Sequence, residues 1–268
     1  MMKQYHDLLQ KVLSEGIESS DRTGTGTLSL FGEKMEFDLS EGFPLLTTKH
    51  VSFKNIATEL IWFLKGDTNA KYLDDMNNTI WKEWTNDEND LPHTYAKQWR
   101  HFGGLDSNYT VDQIANVIKS IKDNPYGRRH IVSAWNPLTV EHAALPPCHM
   151  FFQLYVRDDK LSLLFYMRSN DMFLGNPYNI ASYALLAHLV AFLTGFQVGK
   201  LVYMCGDCHL YTNHIEQAKE LLSRDYNKYK LPTLSIRDDL DSIDDIELFH
   251  LKLNDYASYP SIKADVAV

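Results

Sequence analysis

Leu145-Pro146-Pro147-Cys148-His149-Met150-Phe151-Phe152-Gln153-Leu154-Tyr155-Val156 holds one of the chain's three cysteines and the start of its clearest strand. Two prolines directly before the thiol pin the backbone in an extended or turn geometry and bar a helix. The apolar run after His149 then carries the chain inward as a strand. Asp158-Asp159 supplies a hairpin turn, and 161–167 forms the returning strand. A thiol at the lip of a buried hairpin is a candidate nucleophile. A small buried hydrophobe is the plainer reading of the same cysteine, and the stretch alone leaves both open.

On either side of this hairpin the pattern alternates between helices and strands. Tyr5, Leu8, Leu9, Val12 and Leu13 recur at helical spacing over 3–15, and Gly16 offers a C-cap. Met35, Phe37 and Leu39 alternate as in a half-buried strand. Residues 53–64 form a helix with Phe53, Ile56, Leu60 and Leu64 on one face. Residues 86–108, rich in Asn, Asp and Gly, read as loop. A helix through Val111, Ile114, Ala115, Ile118 and Ile121 stops at Asn124-Pro125. A strand follows at 131–135. After the hairpin come a helix over about 180–194, ended by Gly195, and a strand over 198–204. The apolar tail 259–268 is expected to dock. With no repeat and no linker-like composition break, residues 1–268 read as a single α+β domain, a mixed sheet layered with helices.

Composition narrows the function. Apolar residues make up 44% of the 268, and charged residues 23%, as in a soluble globular protein. A net charge of −9 disfavours a general nucleic-acid binder. The longest apolar stretch, Ile180 to Leu193, is too short to span a bilayer. The N-terminus lacks a signal-like apolar segment. Three cysteines make no disulfide framework, so a reducing cytoplasm is expected. Cys205-Gly206-Asp207-Cys208 is a lone pair without a second cluster at zinc-site spacing, so no metal is expected.

Several polar residues stand where chemistry could use them. Arg128-Arg129 at a strand mouth suits an oxyanion or is a solvated pair. Arg168-Ser169 could hold phosphate. Asp171 and Asn179 could read the edge of a heterocycle, since an amide presents donor and acceptor together. Asp21-Arg22-Thr23-Gly24-Thr25-Gly26-Thr27 could cradle an anion, or it is a turn before a strand. Glu59 in an apolar helix either faces solvent or is buried with a raised pKa. Trp81 and Trp84 could wall a pocket or belong to the core.

Seven segments, in order, resemble the thymidylate synthase family. They are Asp21–Thr27, Phe43-Pro44-Leu45-Leu46-Thr47-Thr48-Lys49, Glu59–Leu64, Arg128-Arg129, Pro147-Cys148-His149, Asn179-Ile180-Ala181-Ser182-Tyr183 and His209-Leu210-Tyr211. The resemblance implies sheets packed back to back in a homodimer and a reductive methylation of dUMP to dTMP, with 5,10-methylenetetrahydrofolate as co-substrate. It implies Cys148 as the nucleophile at C6 of the pyrimidine. Arg22, Arg168 and Ser169 would hold the phosphate, joined by Arg128 and Arg129 from the other subunit. Asn179 would read the uracil, and His209 and Tyr211 the ribose. Asp171 would bond the pterin, walled by Ile80, Trp81, Leu145, Leu174, Gly175, Tyr178 and Val268, with Lys49 at the glutamate tail. Glu59, Tyr95 and His149 would form the proton-transfer network.

The chain departs from the usual pattern at Met167, around His93, and at Asn176, where an apolar residue is usual. Met167–Asp171 is similar to the pyrimidine hydroxymethylase branch, in which water attacks the exocyclic methylene. A polar Asn176 and the altered His93 loop could admit such a water. Asn179 fits uracil, whereas cytosine-using enzymes carry Asp there.

Overall fold

The computed structural model describes residues 2–20, 24–105 and 107–266. In chain order its elements are α1 (Lys3–Glu15), β1 (Ile17–Ser19), β2 (Thr27–Asp38), α2 (Phe53–Leu64), α3 (Lys71–Asp75), α4 (Tyr95–Arg100), α5 (Gln113–Asp123) and β3 (Ile131–Ser133). There follow β4 (His149–Arg157), β5 (Lys160–Asp171), α6 (Gly175–Thr194), β6 (Gln197–Tyr211), α7 (Ile215–Ser223), β7 (Thr233–Ile236) and β8 (Leu251–Asn254).

Six strands form one mixed sheet in the order β1-β2-β6-β5-β4-β3, and β7 and β8 pair separately. All neighbours in the large sheet are antiparallel except β5 and β6. Parallel neighbours need a crossover, and α6 is that crossover. It is apolar on every side and buried along most of its length, so it forms the centre of the core rather than a surface layer. The α+β expectation therefore stands, with helices gathered on one face of the sheet.

The β4–β5 hairpin matches its pattern. Asp158 and Asp159 both have positive φ, 50° and 57°, as a two-residue hairpin turn of matching twist requires. The inward alternation of β5 changes phase between Met167 and Asn170, and that of β6 between Cys205 and Cys208. The two strands bend together there. Gly206 is needed at the bend, because a Cβ would lie 2.6 Å from the Tyr166 hydroxyl.

Several boundaries differ from expectation. Part of the segment read as loop, Tyr95–Arg100, is the helix α4. Its short apolar signal, Tyr95, Ala96 and Trp99, was hidden among polar neighbours. Val111 lies outside α5, bridged to Phe102, and Asp112 caps the helix by accepting from Ala115 N–H at 2.9 Å. Helix α6 starts at Gly175, before the apolar run begins, and β6 extends to Tyr211. The tail docks as expected over its described part. Tyr259 N–H donates to Thr47 C=O, Arg224 Nη1 donates to Pro260 C=O, and His214 Nε2 bonds Asp265 C=O at 2.7 Å.

Candidate active site

Cys148 sits one residue before β4, with its side chain partly accessible. Three contacts from two residues fix it. Its N–H donates to the Tyr95 hydroxyl at 2.8 Å. Its C=O accepts from Arg168 N–H at 2.9 Å. Arg168 Nη2 lies 3.9 Å from the sulfur, while the same guanidinium donates to the carbonyls of Pro146 and Pro147 at 2.8 and 2.9 Å. The two prolines offer carbonyls but no N–H, and Arg168 reads them as a fixed acceptor pair. Burial pushes the Cys148 thiol up, and Arg168 pulls it down. Burial is the larger effect, so the thiol stays above its usual range, while Arg168 favours the thiolate against that desolvation cost.

Behind the thiol, aromatic rings form a rigid wall. Tyr95 stacks on His149 with centroids 3.6 Å apart and planes 2° from parallel. His149 Nδ1 shares a 2.7 Å hydrogen bond with the Tyr183 hydroxyl. Burial lowers the His149 pKa to about 3, so the ring is neutral at any working pH. His149 therefore holds and relays rather than carrying charge.

Glu59 resolves to the buried alternative. It projects from α2 beside Trp81, whose Nε1–H donates to Glu59 Oε1 at 2.8 Å. Desolvation raises its pKa to about 7, against the lowering effect of the Trp81 bond. The side chain is still half-buried rather than sealed, so it keeps partial access to solvent. A carboxyl with a pKa near neutrality can both give and take a proton there. Trp81 packs on Tyr95 at 6.0 Å and on Phe63 at 6.2 Å, which links Glu59 to the cysteine's wall.

Strand β5 and helix α6 supply the opposite side. Asp171 Oδ1 accepts from Phe173 N–H at 2.9 Å and Leu174 N–H at 3.2 Å, turning the chain out of β5 into α6. Gly175 stands where a Cβ would meet Asn179 Oδ1 at 3.6 Å and the Asp171 Cβ at 3.8 Å. Asp171, Gly175 and Asn179 thus share one corner. Across the ladder, Asp171 pairs with His209 and Ser169 with Asp207. His209 and Tyr211 lie ring edge to face at 5.1 Å. Thr212 bonds Gly26 and Thr25, which brings the Thr-Gly loop to the end of β6. Arg22 and Val268 lie outside the described residues. Ile80, Leu145, Leu174 and Tyr178 are half-buried.

Some expected residues sit elsewhere. Lys49 is buried at 5% exposure, its ammonium donating to Phe173 C=O and resting 3.9 Å from the Phe173 ring centre. Burial lowers its pKa to about 8, with Asp171 opposing. It braces the Asp171 turn from within and, in this conformation, does not stand at a mouth where a glutamate tail would pass. Asn176 is fully buried and bonded to Asn170 at 3.1 Å, and Met167 is buried too. The reading of Asn176 as a port for water is corrected: its amide points into the core. Arg128 and Arg129 are exposed and line a surface cavity of about 530 Å³ with Tyr126 and His130. Ile131 pairs with Gln153, so Arg129 is level with Tyr155. That is about 20 Å along β4 from Cys148. Within one chain these arginines do not join the thiol.

Cys205 and Cys208 are unpaired and buried. Among the described residues, no group of three or more His, Cys, Asp and Glu could hold a metal ion.

The family described as Thymidylate synthase matches residues 3–268. The chain belongs to the thymidylate synthase family. Members of the thymidylate synthase and pyrimidine hydroxymethylase superfamily transfer a one-carbon unit and use a folate co-substrate. Among the described residues no helix is long and apolar enough to cross a membrane. Tyr183, bonded to His149, and Trp99, packed on Phe63, Tyr95, Phe152 and Tyr183, complete the wall. The sequence reading missed Tyr183 as a partner of the site, although it lies inside the quoted Asn179–Tyr183 segment.

Proposed function

We propose that the chain is a single catalytic domain that methylates dUMP to dTMP, consuming 5,10-methylenetetrahydrofolate and releasing dihydrofolate. The observation that carries this reading is the Cys148–Arg168 contact beside Tyr95, with Glu59 tied to the same aromatic wall through Trp81. Cys148 gives up its thiol proton to the site's proton-transfer groups as Sγ adds to C6 of uracil, the C5–C6 electron pair moves to C5 and O4, and the C–S bond breaks again when the product leaves. Asn179 presents both an acceptor and a donor, which suits N3–H and O4 of uracil. Binding the anionic nucleotide against Arg168 and Ser169 also tightens the guanidinium's hold near the sulfur. Addition of a thiol splits one hard substitution at a poor nucleophile into easier steps.

The folate fits the opposite wall. Asp171 keeps Oδ2 free for a pterin N–H, because Oδ1 is committed to the backbone. Ile80, Trp81, Leu145, Leu174 and Tyr178 offer flat apolar surface for its rings, with Val268 assigned to the same wall by resemblance. When bound, the folate supplies the one-carbon unit and then a hydride to the nucleotide. Glu59, with Tyr95, His149 and Tyr183 behind it, moves the protons at C5 and O4. Docking of the tail on His214, which packs against Phe173 and Tyr211, suits the exclusion of water while the nucleotide carries a reactive methylene.

Hydroxymethylation needs a water held at that carbon. Asn176 and Met167 are both buried in the core, where neither is open to solvent to present such a water, and this supports methylation. The homodimer is supported by the sheet's second face. Phe151, Tyr155, Leu164, Tyr166, Val202 and Met204 lie there, exposed or half-buried, while their strand neighbours are buried on the other face. Stacking two such faces buries them and can bring Arg128 and Arg129 to the partner's phosphate site. The unpaired thiols suit a reducing cytoplasm.

Calorimetric titration with dUMP and dCMP tests the substrate assignment. Tight binding of dUMP with weak binding of dCMP is expected. Preference for dCMP would overturn the role given to Asn179.

A further inference from the structure

Between β5 and α6 lies a pair of amides that the chemistry above does not use. Asn170 is 1% exposed and Asn176 0%. Asn176 Nδ2 donates to Asn170 Oδ1 at 3.1 Å, and Asn170 Nδ2 turns to Met172 Sδ at 3.1 Å and Cys208 Sγ at 4.0 Å. The Tyr203 hydroxyl of β6 is buried beside Asn176 and Cys205, and both it and Asn176 Oδ1 lack a well-formed hydrogen bond. A core position filled by an apolar pair would avoid these orphaned groups. What an amide pair adds is direction, since a buried hydrogen bond fixes distance and orientation where apolar contact does not.

The placement of the pair says what that direction serves. Asn170 lies between Ser169 and Asp171 on the strand that also carries Arg168. Asn176 lies between Gly175 and Tyr178 in the first turn of the helix that carries Asn179. The two elements meet at Gly175, which has both Asp171 and Asn179 beside it. The bond therefore joins the strand that would hold phosphate and pterin to the turn that would read the base.

We propose that Asn170 and Asn176 are positioning residues that set the first turn of α6 against β5, so that Asn179 and Asp171 hold nucleotide and pterin in one fixed relation. Neither touches either substrate. The inference rests on the proposed reaction with dUMP and a folate. A small misplacement of reacting groups costs rate more than affinity, because alignment matters most in the transition state.

The test compares wild type with Asn176→Leu, Asn170→Ala and the double variant, at a temperature where near-ultraviolet circular dichroism shows each folded. Asn176→Ser serves if Asn176→Leu does not fold. Single variants leave an amide orphaned, and the double variant removes both amides and recovers stability. The expected result is a fall in kcat of about fivefold or more in the single variants that persists in the double variant, with both KM values little changed. A kcat that stays near wild type, or that recovers together with stability, would show a purely structural pair and overturn the proposal. A wild type that does not convert dUMP at all overturns the proposed reaction itself, and the positioning role with it.

Discussion

Arg168 binds the two carbonyls before Cys148 and places Nη2 3.9 Å from its sulfur. One side chain thus shapes the Pro146-Pro147 turn and tunes the thiol it carries. Burial raises the Cys148 pKa and Arg168 lowers it. Replacement by Gln keeps some hydrogen bonding and removes the charge, so the thiol pKa should rise further. The pH profile of iodoacetamide alkylation should shift to higher pH in Arg168→Gln, and kcat/KM for dUMP should fall by about 10²-fold. An unshifted profile would separate the guanidinium from thiol activation.

Cys148→Ala should remove turnover by about 10³-fold or more while leaving dUMP affinity within a few-fold. Paired measurements of kcat and dUMP dissociation check this. Loss of binding together with turnover would point to a structural thiol instead.

Glu59 gives a pH signature. Its pKa rises from an ordinary 4.5 to about 7, chiefly through desolvation. The folded state therefore holds the proton more tightly than the unfolded chain. Glu59 contributes its full stability below about pH 4.5, and this is lost as pH rises towards 7. The shift corresponds to at most about 3 kcal/mol, less because the side chain keeps partial access to solvent. Glu59→Gln should flatten that part of the curve and cut kcat by about 10²-fold or more. Urea unfolding at pH 5 and pH 8 measures the first, and steady-state kinetics the second.

Arg128 and Arg129 lie too far from Cys148 to serve their own chain's thiol. An Arg128→Ala/Arg129→Ala variant and a Cys148→Ala variant should each be inactive alone. Mixed under conditions that exchange subunits, they should regain about a quarter of wild-type activity. Half the dimers are then mixed, and each has one intact site of two. No recovery on mixing would reject the shared site.

The hairpin around Asp158-Asp159, the helix α2 and the buried α6 were legible because their apolar periods match their elements. The early start of α6 was not. Gly175, Asn176 and Pro177 carry no helical signal, and the Asp171 side chain, not propensity, launches that turn. Likewise α4 is short, and packing of Tyr95 and Trp99 stabilises it more than sequence period does. At the site, Cys148 and Arg168 could be named from sequence, but the balance of burial and charge on the thiol depends on packing. Glu59 illustrates the same limit, since only the Trp81 indole and the surrounding walls separate a solvent-facing carboxylate from one titrating near 7. Lys49 and Asn176 show it in reverse, as polar residues whose places in the family pattern suggested the site and whose neighbours hold them in the core.

A reaction opened by Cys148 on dUMP and closed by hydride transfer leaves a definite pair of products. Mass analysis of the nucleotide and folate formed from dUMP and 5,10-methylenetetrahydrofolate should find dTMP with dihydrofolate. Formation of 5-hydroxymethyl-dUMP with tetrahydrofolate would show that water, not hydride, ends the reaction, and methylation would have to be abandoned.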